Sequence, residues 1–376
     1  MKILIIINSL GSGGAEKSTE VICDYLFNLN IPFEILCLDQ KSVGVQERML
    51  EKGYTIKFIP PGNFLKQSNF IANYIKNGNF DLVHSILFRA NLRTRFARLK
   101  VKFVHLESLV NTTYSEERIN DVGVNQMGLK IYKLIDNFTS RKFVDHFHSI
   151  TETVKNHYVE EIDLDPNEIT VIPRGRKPII TSYEERNFQN LQEPVQIINV
   201  ARHEFQKGQI YIIKAVKKLI DQGYNVELRI FGRDGSASKE MRDYIEVHTL
   251  NDKVFLEGFK ANVSEYLLKS HLFAFPSLYE GLGGALIEAQ AAGLPIVCND
   301  IPVLHEVVVE KDNAKFFDVH NVDSIVEAMS FFLDNPEERE RYGKASLVNF
   351  YDKFLESRNN ALTLDLYSKL CSNSGK

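Results

Sequence analysis

The sequence predicts an α/β protein made of two doubly wound, mostly parallel sheets. Short apolar runs alternate with longer amphipathic stretches along most of the chain, and this alternation comes in two series separated by a stretch without periodicity. In each series a strand runs into a glycine-bearing turn that opens a helix. Parallel strands need crossover helices that cover both sheet faces, so their strands read as unbroken apolar runs.

In chain order, strands are expected near residues 2–7, 33–39, 56–59, 82–86, 101–106, 146–150 and 168–172. A second series follows near 195–200, 226–231, 253–256, 272–275, 294–298 and 315–317. Between them, the stretch from Arg174 to Pro194 holds Pro178 and a polar run. The expected organisation is an N-terminal domain over 1–176, a linker over 177–193, a C-terminal domain over 194–350, and a final segment, 351–376, whose helix packs back on the N-terminal domain. Two such domains are expected to face a cleft, with ligands at the carboxyl ends of the strands.

A chain of 376 residues, 44% of them hydrophobic, is long enough for about two domains with substantial cores. A net charge of -4 lacks the basic excess of a nucleic-acid binder, so no nucleic-acid partner is expected. Cys23, Cys37, Cys298 and Cys371 are too scattered for a disulfide framework or a four-cysteine zinc site, which points to the reducing cytoplasm. The run from Met1 to Asn8 reads as a buried first strand and not as a signal peptide, and no apolar run reaches the roughly 18 residues that would span a bilayer.

The stretch from Phe275 to Ala289 carries the most chemistry. A strand ends, Gly281, Gly283 and Gly284 form a turn, and a helix begins, with Glu280 before it and Glu288 about a turn inside it. The first amides of a helix have no intrahelical acceptor and bear the positive end of its dipole, so they bind phosphate where no side chain blocks them. Carboxylates accept paired hydrogen bonds from neighbouring hydroxyls, which suits one to a ribose and one to a transferred sugar. Alone, two acids eight residues apart read as a capped helix with solvated carboxylates. The surrounding residues shift that reading to a pocket for a phosphorylated polyol. At the end of the second domain's first strand, Arg202 and Lys207 bring two cations beside a helix N-terminus, where they would neutralise a departing diphosphate. In the first domain, Gly11, Gly13 and Gly14 open a strand-to-helix turn that lets a ligand approach backbone amides. Asp39 ends the next strand, as the ribose-binding acid of a dinucleotide fold does, yet Glu16 stands where the third fingerprint glycine would be, so no nicotinamide or flavin site is expected. His105 is expected at the carboxyl end of its strand, in contact with the transferred sugar.

Together these residues resemble the large family of retaining GT-B glycosyltransferases called family 4, typified by bacterial surface-glycan and lipid glycosyltransferases. The resemblance runs over nearly the whole chain, through Gly13 to Glu16, His105, Val171 to Gly175, Arg202 with Lys207, Gly232, Leu256 to Gly258, and Glu280 to Glu288. It implies the GT-B architecture of two Rossmann-like domains. It further implies that Arg202 and Lys207 hold the donor diphosphate, Glu288 the nucleotide ribose and Glu280 the donor-sugar hydroxyls. Amides near Gly283 and Gly284 assist, Gly13 and Gly14 border the donor, and His105 and Glu280 act at the reacting centre. The chain departs from the family's pattern at Arg174, within Pro173 to Gly175 where Pro-Asn-Gly is usual, and at Ile301 to Glu306, which replaces a glycine-bearing loop.

The activity so implied is retaining transfer of a hexosyl or N-acetylhexosaminyl group from a nucleotide diphosphate sugar, a UDP-sugar by preference, to a glycan or lipid-linked acceptor in surface glycan synthesis. No cofactor and no metal are expected: Asp163 and Asp165 match D-x-D, but they stand before Pro166 on a surface turn. Arg89, Arg93, Arg95, Arg98, Lys100 and Lys102, interleaved with Leu92, Phe96 and Leu99, have two readings, a helix covering the sheet or a peripheral contact with the cytoplasmic face of a membrane. The polar region from Asn111 to Gln126 is the candidate acceptor loop. An epimerase or hydrolase of the same fold, or a non-catalytic sugar-nucleotide-binding subunit, is the alternative function.

Overall fold

The computed structural model describes residues 1–119, 124–186 and 194–373. It divides into two compact units, one formed by Met1–Gly175 with Glu356–Lys376 and the other by Arg176–Leu355.

The first unit is built on a seven-stranded parallel sheet in the order β3-β2-β1-β4-β5-β6-β7. Its strands are β1 (Ile3–Ile7), β2 (Phe33–Cys37), β3 (Ile56–Phe58), β4 (Leu82–Ile86), β5 (His105–Leu109), β6 (His146–Ser149) and β7 (Ile169–Val171). All five residues of β1 are fully buried because both faces of the sheet are covered. Ile3, Ile5 and Ile7 point into one core with Leu26, Leu366 and Tyr367. Leu4 and Ile6 point into the other with Ile71, Ala72 and Ala97. Each such side chain contributes about 1.5–3 kcal/mol through burial. The Glu356–Asn373 helix lies on the Ile3 face beside the Gly14–Asn28 helix, held by Leu366 and Tyr367.

The second unit has a six-stranded parallel sheet in the order β10-β9-β8-β11-β12-β13. The strands are β8 (Val195–Val200), β9 (Val226–Phe231), β10 (Val254–Gly258), β11 (Leu272–Phe275), β12 (Ile296–Asn299) and β13 (Ala314–Phe317). The Gln209–Asp221 helix packs Ile212, Ile213, Val216 and Leu219 against Ile197, Leu228 and Ala274. Residues 177–186 of the expected linker belong to this unit: Ile180 and Tyr183 pack with Leu347, and the Arg186 guanidinium donates to Ala292 O at 2.8 Å and to Ser270 O. Residues 187–193 of that linker lie outside the described residues. The chain leaves the second unit after Leu355, a few residues beyond the expected boundary at 350, because Phe354 is itself 2% exposed.

One strand sits differently from expectation. The fifth begins at His105 and continues to Leu109, with Val83 opposite His105 and Ile86 opposite Ser108. Glu107 lies inside it, buried, because the Arg95 guanidinium meets it. Arg95 also donates to Asp136 Oδ1 at 2.5 Å and to Thr139 Oγ1 at 3.0 Å, and Tyr114 Oη donates to Asp136 Oδ2 at 2.6 Å. Burial works against the charge on Arg95, but the two carboxylates outweigh it and hold the guanidinium protonated. Most of the basic stretch 89–102 lies on a sheet-covering helix, Phe88–Ala97: Leu92 and Arg95 turn inward, Arg89 pairs with Asp39 at 2.6 Å, Arg93 bonds Gln67 and Arg98, just beyond the helix, pairs with Asp145 at 2.8 Å, while Lys100 and Lys102 follow it exposed.

A second polar network ties the Glu356–Asn373 helix to the sheet. His148 Nε2 donates to Ile172 O at 2.9 Å. Burial holds His148 down to about 4 and His84 well below the usual imidazole range, so both rings are neutral and the hydrogen bonds acquire a direction. Tyr367 Oη donates to His84 Nδ1 at 2.7 Å, His84 Nε2 to Ser108 Oγ at 2.8 Å, and Ser108 Oγ to His148 Nδ1 at 3.1 Å.

Arg95→Ala leaves Glu107 and Asp136 buried without a cation, and is expected to lower unfolding free energy by about 3–5 kcal/mol in urea titration. Unchanged stability would show that the triad carries no structural weight. His84, His105 and His148 are held neutral by burial below their ordinary pKa near 6.5, so the unfolded chain binds more protons than the folded one as pH falls below that value. Stability is complete above about pH 6.5 and declines toward pH 4 by about 1.4 kcal/mol per pH unit for each histidine that stays neutral. Melting curves between pH 7 and 4.5 check this, and His84→Gln should flatten the slope.

Candidate functional site

In each sheet the chain order reverses beside the first strand of its unit, between β1 and β4 and between β8 and β11. Loops leaving the carboxyl ends of such a strand pair diverge and open a crevice, the usual ligand position in open α/β sheets.

In the second unit those loops are stitched together. Lys207 closes a 3₁₀ turn, Phe205–Lys207, and Gly208 follows with φ +61° as the cap of the Gln209–Asp221 helix. A Cβ on Gly208 would stand 2.3 Å from Pro276 O, so both the backbone angle and the approach of the β11 loop require glycine. Leu278 N donates to Gln206 O and Gln206 Nε2 to Tyr279 O, each at 2.8 Å. This fixes Lys207 opposite Glu280, and its Nζ lies 2.5 Å from Glu280 Oε1, with both side chains less than 15% exposed.

Gly283 caps the Gly284–Ala291 helix with φ +79°, a conformation that L side chains rarely adopt. Glu288 faces Arg176, whose Nε lies 3.4 Å from Glu288 Oε1. The same guanidinium is stacked at the opening of this helix: a Cβ on Gly284 would come within 2.9 Å of Arg176 Nη2. Arg176 is anchored by its own amide, which donates to Phe354 O at 2.8 Å, and its side chain is 9% exposed. Arg202 extends from the β8 loop with its side chain 58% exposed, 3.8 Å from Glu204 Oε1.

Glu280, Glu288, Gly283, Gly284, Lys207 and Arg202 thus stand on the loops and helix start beside one strand pair of the second unit, and Arg176 joins them. Cations and carboxylates alternate around a helix N-terminus whose first positions carry no side chain beyond Ala285. Such a set offers charge and amide donors to an anion and carboxylate acceptors to hydroxyls. Arg176 escaped sequence reasoning because it stands at the expected end of the first domain. The signal was the departure beside it, Arg174 and Gly175 in place of an asparagine-glycine pair.

Gly13, Gly14 and His105 belong to the first unit. Gly13 caps the Gly14–Asn28 helix with the Glu16 carboxylate folded back over it, and Gly14 abuts the Arg174 guanidinium. His105 corrects an expectation: it opens β5 instead of ending it, and is fully buried. Its Nδ1 donates to Phe143 O and its Nε2 accepts from Ser85 Oγ, both at 2.9 Å, while burial holds its pKa at about 3. Each ring nitrogen is occupied at the sheet end opposite the ligand crevice, so His105 does structural work. Asp163 ends the Glu152–Ile162 helix at φ 57° and pairs with Arg141 at 3.0 Å, while Asp165 accepts from Asn167 N at 2.9 Å. Residues 120–123 of the candidate acceptor loop lie outside the described residues.

Two family models match. The one described as Glycosyl transferases group 1 covers residues 182–347, and the one described as Glycosyltransferase Family 4 covers residues 12–178. The chain is 26% identical, over 91% of its length and 92% of the relative's, to N-acetylgalactosamine-N,N'-diacetylbacillosaminyl-diphospho-undecaprenol 4-alpha-N-acetylgalactosaminyltransferase of Campylobacter jejuni. It is 25% identical to the capsular polysaccharide biosynthesis glycosyltransferase CapH of Staphylococcus aureus, over 82% of this chain and 83% of that protein. A shorter match, 32% identical, covers 31% of the chain and 29% of an uncharacterized glycosyltransferase, MJ1059, of Methanocaldococcus jannaschii. Among solved structures, Anabaena Alr3699/HepE in complex with UDP-glucose superposes with a TM-score of 0.84 at 15% identity, over 98% of this chain and 100% of that one. Two family models that follow one another along the chain, on two parallel sheets of this kind, lead to one assignment: the chain belongs to the GT-B glycosyltransferases of the family 4 type.

Proposed function

We propose that this chain transfers a hexosyl or N-acetylhexosaminyl group, with retention, from a UDP-sugar to a glycan or lipid-linked acceptor in surface glycan synthesis. The observation that carries the reading is the alternation of Lys207, Glu280, Arg176 and Glu288 around the glycine-capped helix at the β8/β11 crevice. The UDP-glucose complex of the Anabaena protein supports a uridine donor, and the diphospho-undecaprenol in the Campylobacter enzyme's name supports a lipid-linked acceptor.

In this reading the donor diphosphate lies against the first amides of the Gly284–Ala291 helix, neutralised by Arg202 and Lys207. Glu288, steadied by Arg176, accepts from the ribose hydroxyls, and Glu280 accepts from the transferred sugar. The bond between the anomeric carbon and the diphosphate oxygen breaks as the acceptor oxygen bonds that carbon on the same face. The acceptor proton passes to the leaving phosphate oxygen, and UDP departs. The protein contributes position and charge stabilisation, without a protein nucleophile and without a metal.

Purified protein is to be screened for UDP release from UDP-glucose, UDP-galactose, their N-acetylamino forms and GDP-mannose, with and without lipid extract. Acceptor-dependent release from one UDP-sugar is expected, and absence of binding to every nucleotide sugar would refute the reading. Glu280→Ala should cut turnover about 10- to 100-fold while calorimetry shows UDP affinity retained, the loss being that of charge-assisted hydrogen bonds. Glu288→Ala should weaken UDP and UDP-sugar alike by a comparable factor. Full activity in both variants would remove these residues from the site. Chelation with EDTA should leave the rate within about twofold, because the cations are supplied by the chain; complete loss restored by a divalent ion would overturn that part.

A further inference from the structure

The Gln126–Phe143 helix of the first unit is turned inside out. Its buried residues are Asp136, Thr139 and Ser140, all polar. Its most exposed ones include Met127, Ile131, Leu134 and Phe138, at 70%, 52%, 74% and 64% exposure. These four are spaced four, three and four residues apart, the recurrence of a single stripe along an α-helix. At 100° per residue the stripe lies opposite Asp136, so it points straight away from the body of the unit. Lys130 and Arg141 flank it on one side and Lys142 on the other. The helix carries one acid, Asp136, and that side chain is consumed inside by Arg95. The exposed surface of the helix therefore presents cations and apolar side chains, and no carboxylate of its own.

We propose that this helix seats the first unit on an anionic lipid surface, with Met127, Ile131, Leu134 and Phe138 entering the acyl boundary and Lys130 and Lys142 meeting the headgroups. An apolar stripe bordered by basic residues is the pattern of a helix lying in the plane of a membrane interface. The charge pattern selects lipid over a second copy. In a two-fold dimer each stripe would meet its own equivalent, which brings the flanking cations of the two copies together with no helix acid to offset them. Lys133 and Arg141 already have acids to meet, Glu161 and Asp163, whereas Lys142 stacks near the Phe138 ring at 5.5 Å and travels with the stripe. In the basic stretch 89–102, Arg89, Arg95 and Arg98 are paired with acids, which leaves Lys100 and Lys102 as its exposed cations. With the transferase reading, on which this consequence rests, membrane seating assigns the acceptor to the lipid-linked class.

The test is cosedimentation of the full chain with phosphatidylcholine vesicles containing 40%, by order of magnitude, or no phosphatidylglycerol, since surface attraction scales with anionic lipid (roughly 1 kcal/mol per basic residue, or about fivefold). Binding to the anionic vesicles, weakened by high salt, is expected. Leu134→Ser with Phe138→Ser should reduce partitioning at least roughly tenfold, and Lys130→Glu with Lys142→Glu by about as much at low salt. Because these side chains are exposed, melting temperature and UDP binding should stay unchanged, which separates failure here from failure of the donor site. No binding to anionic vesicles, equal binding by wild type and the serine variant, or a wild-type dimer that the serine substitutions dissolve would each overturn the proposal.

Discussion

The approach of Pro276 O to Gly208 is the contact on which the candidate donor site depends. It brings the loop after β11 against the loop after β8 at a separation that no side chain on residue 208 would permit. Lys207 is the preceding residue and Glu280 lies four beyond Pro276, so this one close approach sets their distance. The hydrogen bonds from Gln206 to Tyr279 and from Leu278 to Gln206 then keep the two loops from sliding. A site assembled in this way depends on backbone atoms, and its charged side chains inherit their positions from a rigid frame.

The charges at the site are satisfied before any donor arrives. Lys207 with Glu280 and Arg176 with Glu288 are enclosed enough for desolvation to offset much of their attraction. On the proposed reading, this limits what a donor must displace. Phosphate oxygens take over Lys207 while sugar hydroxyls take over Glu280, and Glu288 keeps Arg176 as it accepts from the ribose hydroxyls, so no buried charge is left bare. The cost that would arise from a lone buried carboxylate is avoided at both Glu280 and Glu288. Arg176 has the additional effect of placing positive charge beside the positive end of the Gly284–Ala291 helix dipole. That arrangement is unfavourable unless an anion lies nearby, and Glu288 supplies one in the free protein.

Much of this was legible in the sequence. Apolar runs marked the strands of both sheets to within a residue or two at most positions, because strands buried on both faces leave no polar alternation to misread. The glycine-bearing junction at Gly281 to Gly284 marked the loop at Glu280, since the positive φ of Gly283 leaves a compositional trace, and the cations Arg202 and Lys207 marked the facing loop. What failed was whatever depended on a partner distant in sequence. The strand expected at 101–106 lies instead at His105–Leu109, where buried Glu107 is neutralised by Arg95, a partner that nothing local to the strand announces, and His105 stands at its start. Arg176 stands at the expected end of the first domain, and its partner Glu288 is on a helix distant in sequence.

The inverted helix shows the limit most sharply. Periodicity along Gln126–Phe143 defines a stripe but does not state which way it faces, and the usual assumption would bury Met127, Ile131, Leu134 and Phe138. The direction is decided by Arg95. A guanidinium buried beside Glu107 retains unmet donors and charge, and Asp136 satisfies them through Nη1 while Thr139 adds a second acceptor. Turning the apolar stripe inward would rotate Asp136 to the surface and leave Arg95 with one carboxylate. The cost of a broken buried ion network, about 3–5 kcal/mol, is comparable to the gain from burying one or two large apolar side chains. Four exposed apolar residues are more than that balance alone sustains against water, and on the proposed membrane seating an acyl boundary would supply the missing burial without disturbing the triad. The polar interior and the apolar exterior of this helix are in that sense one feature, because the buried charges that fix its orientation also decide which side chains it leaves outside.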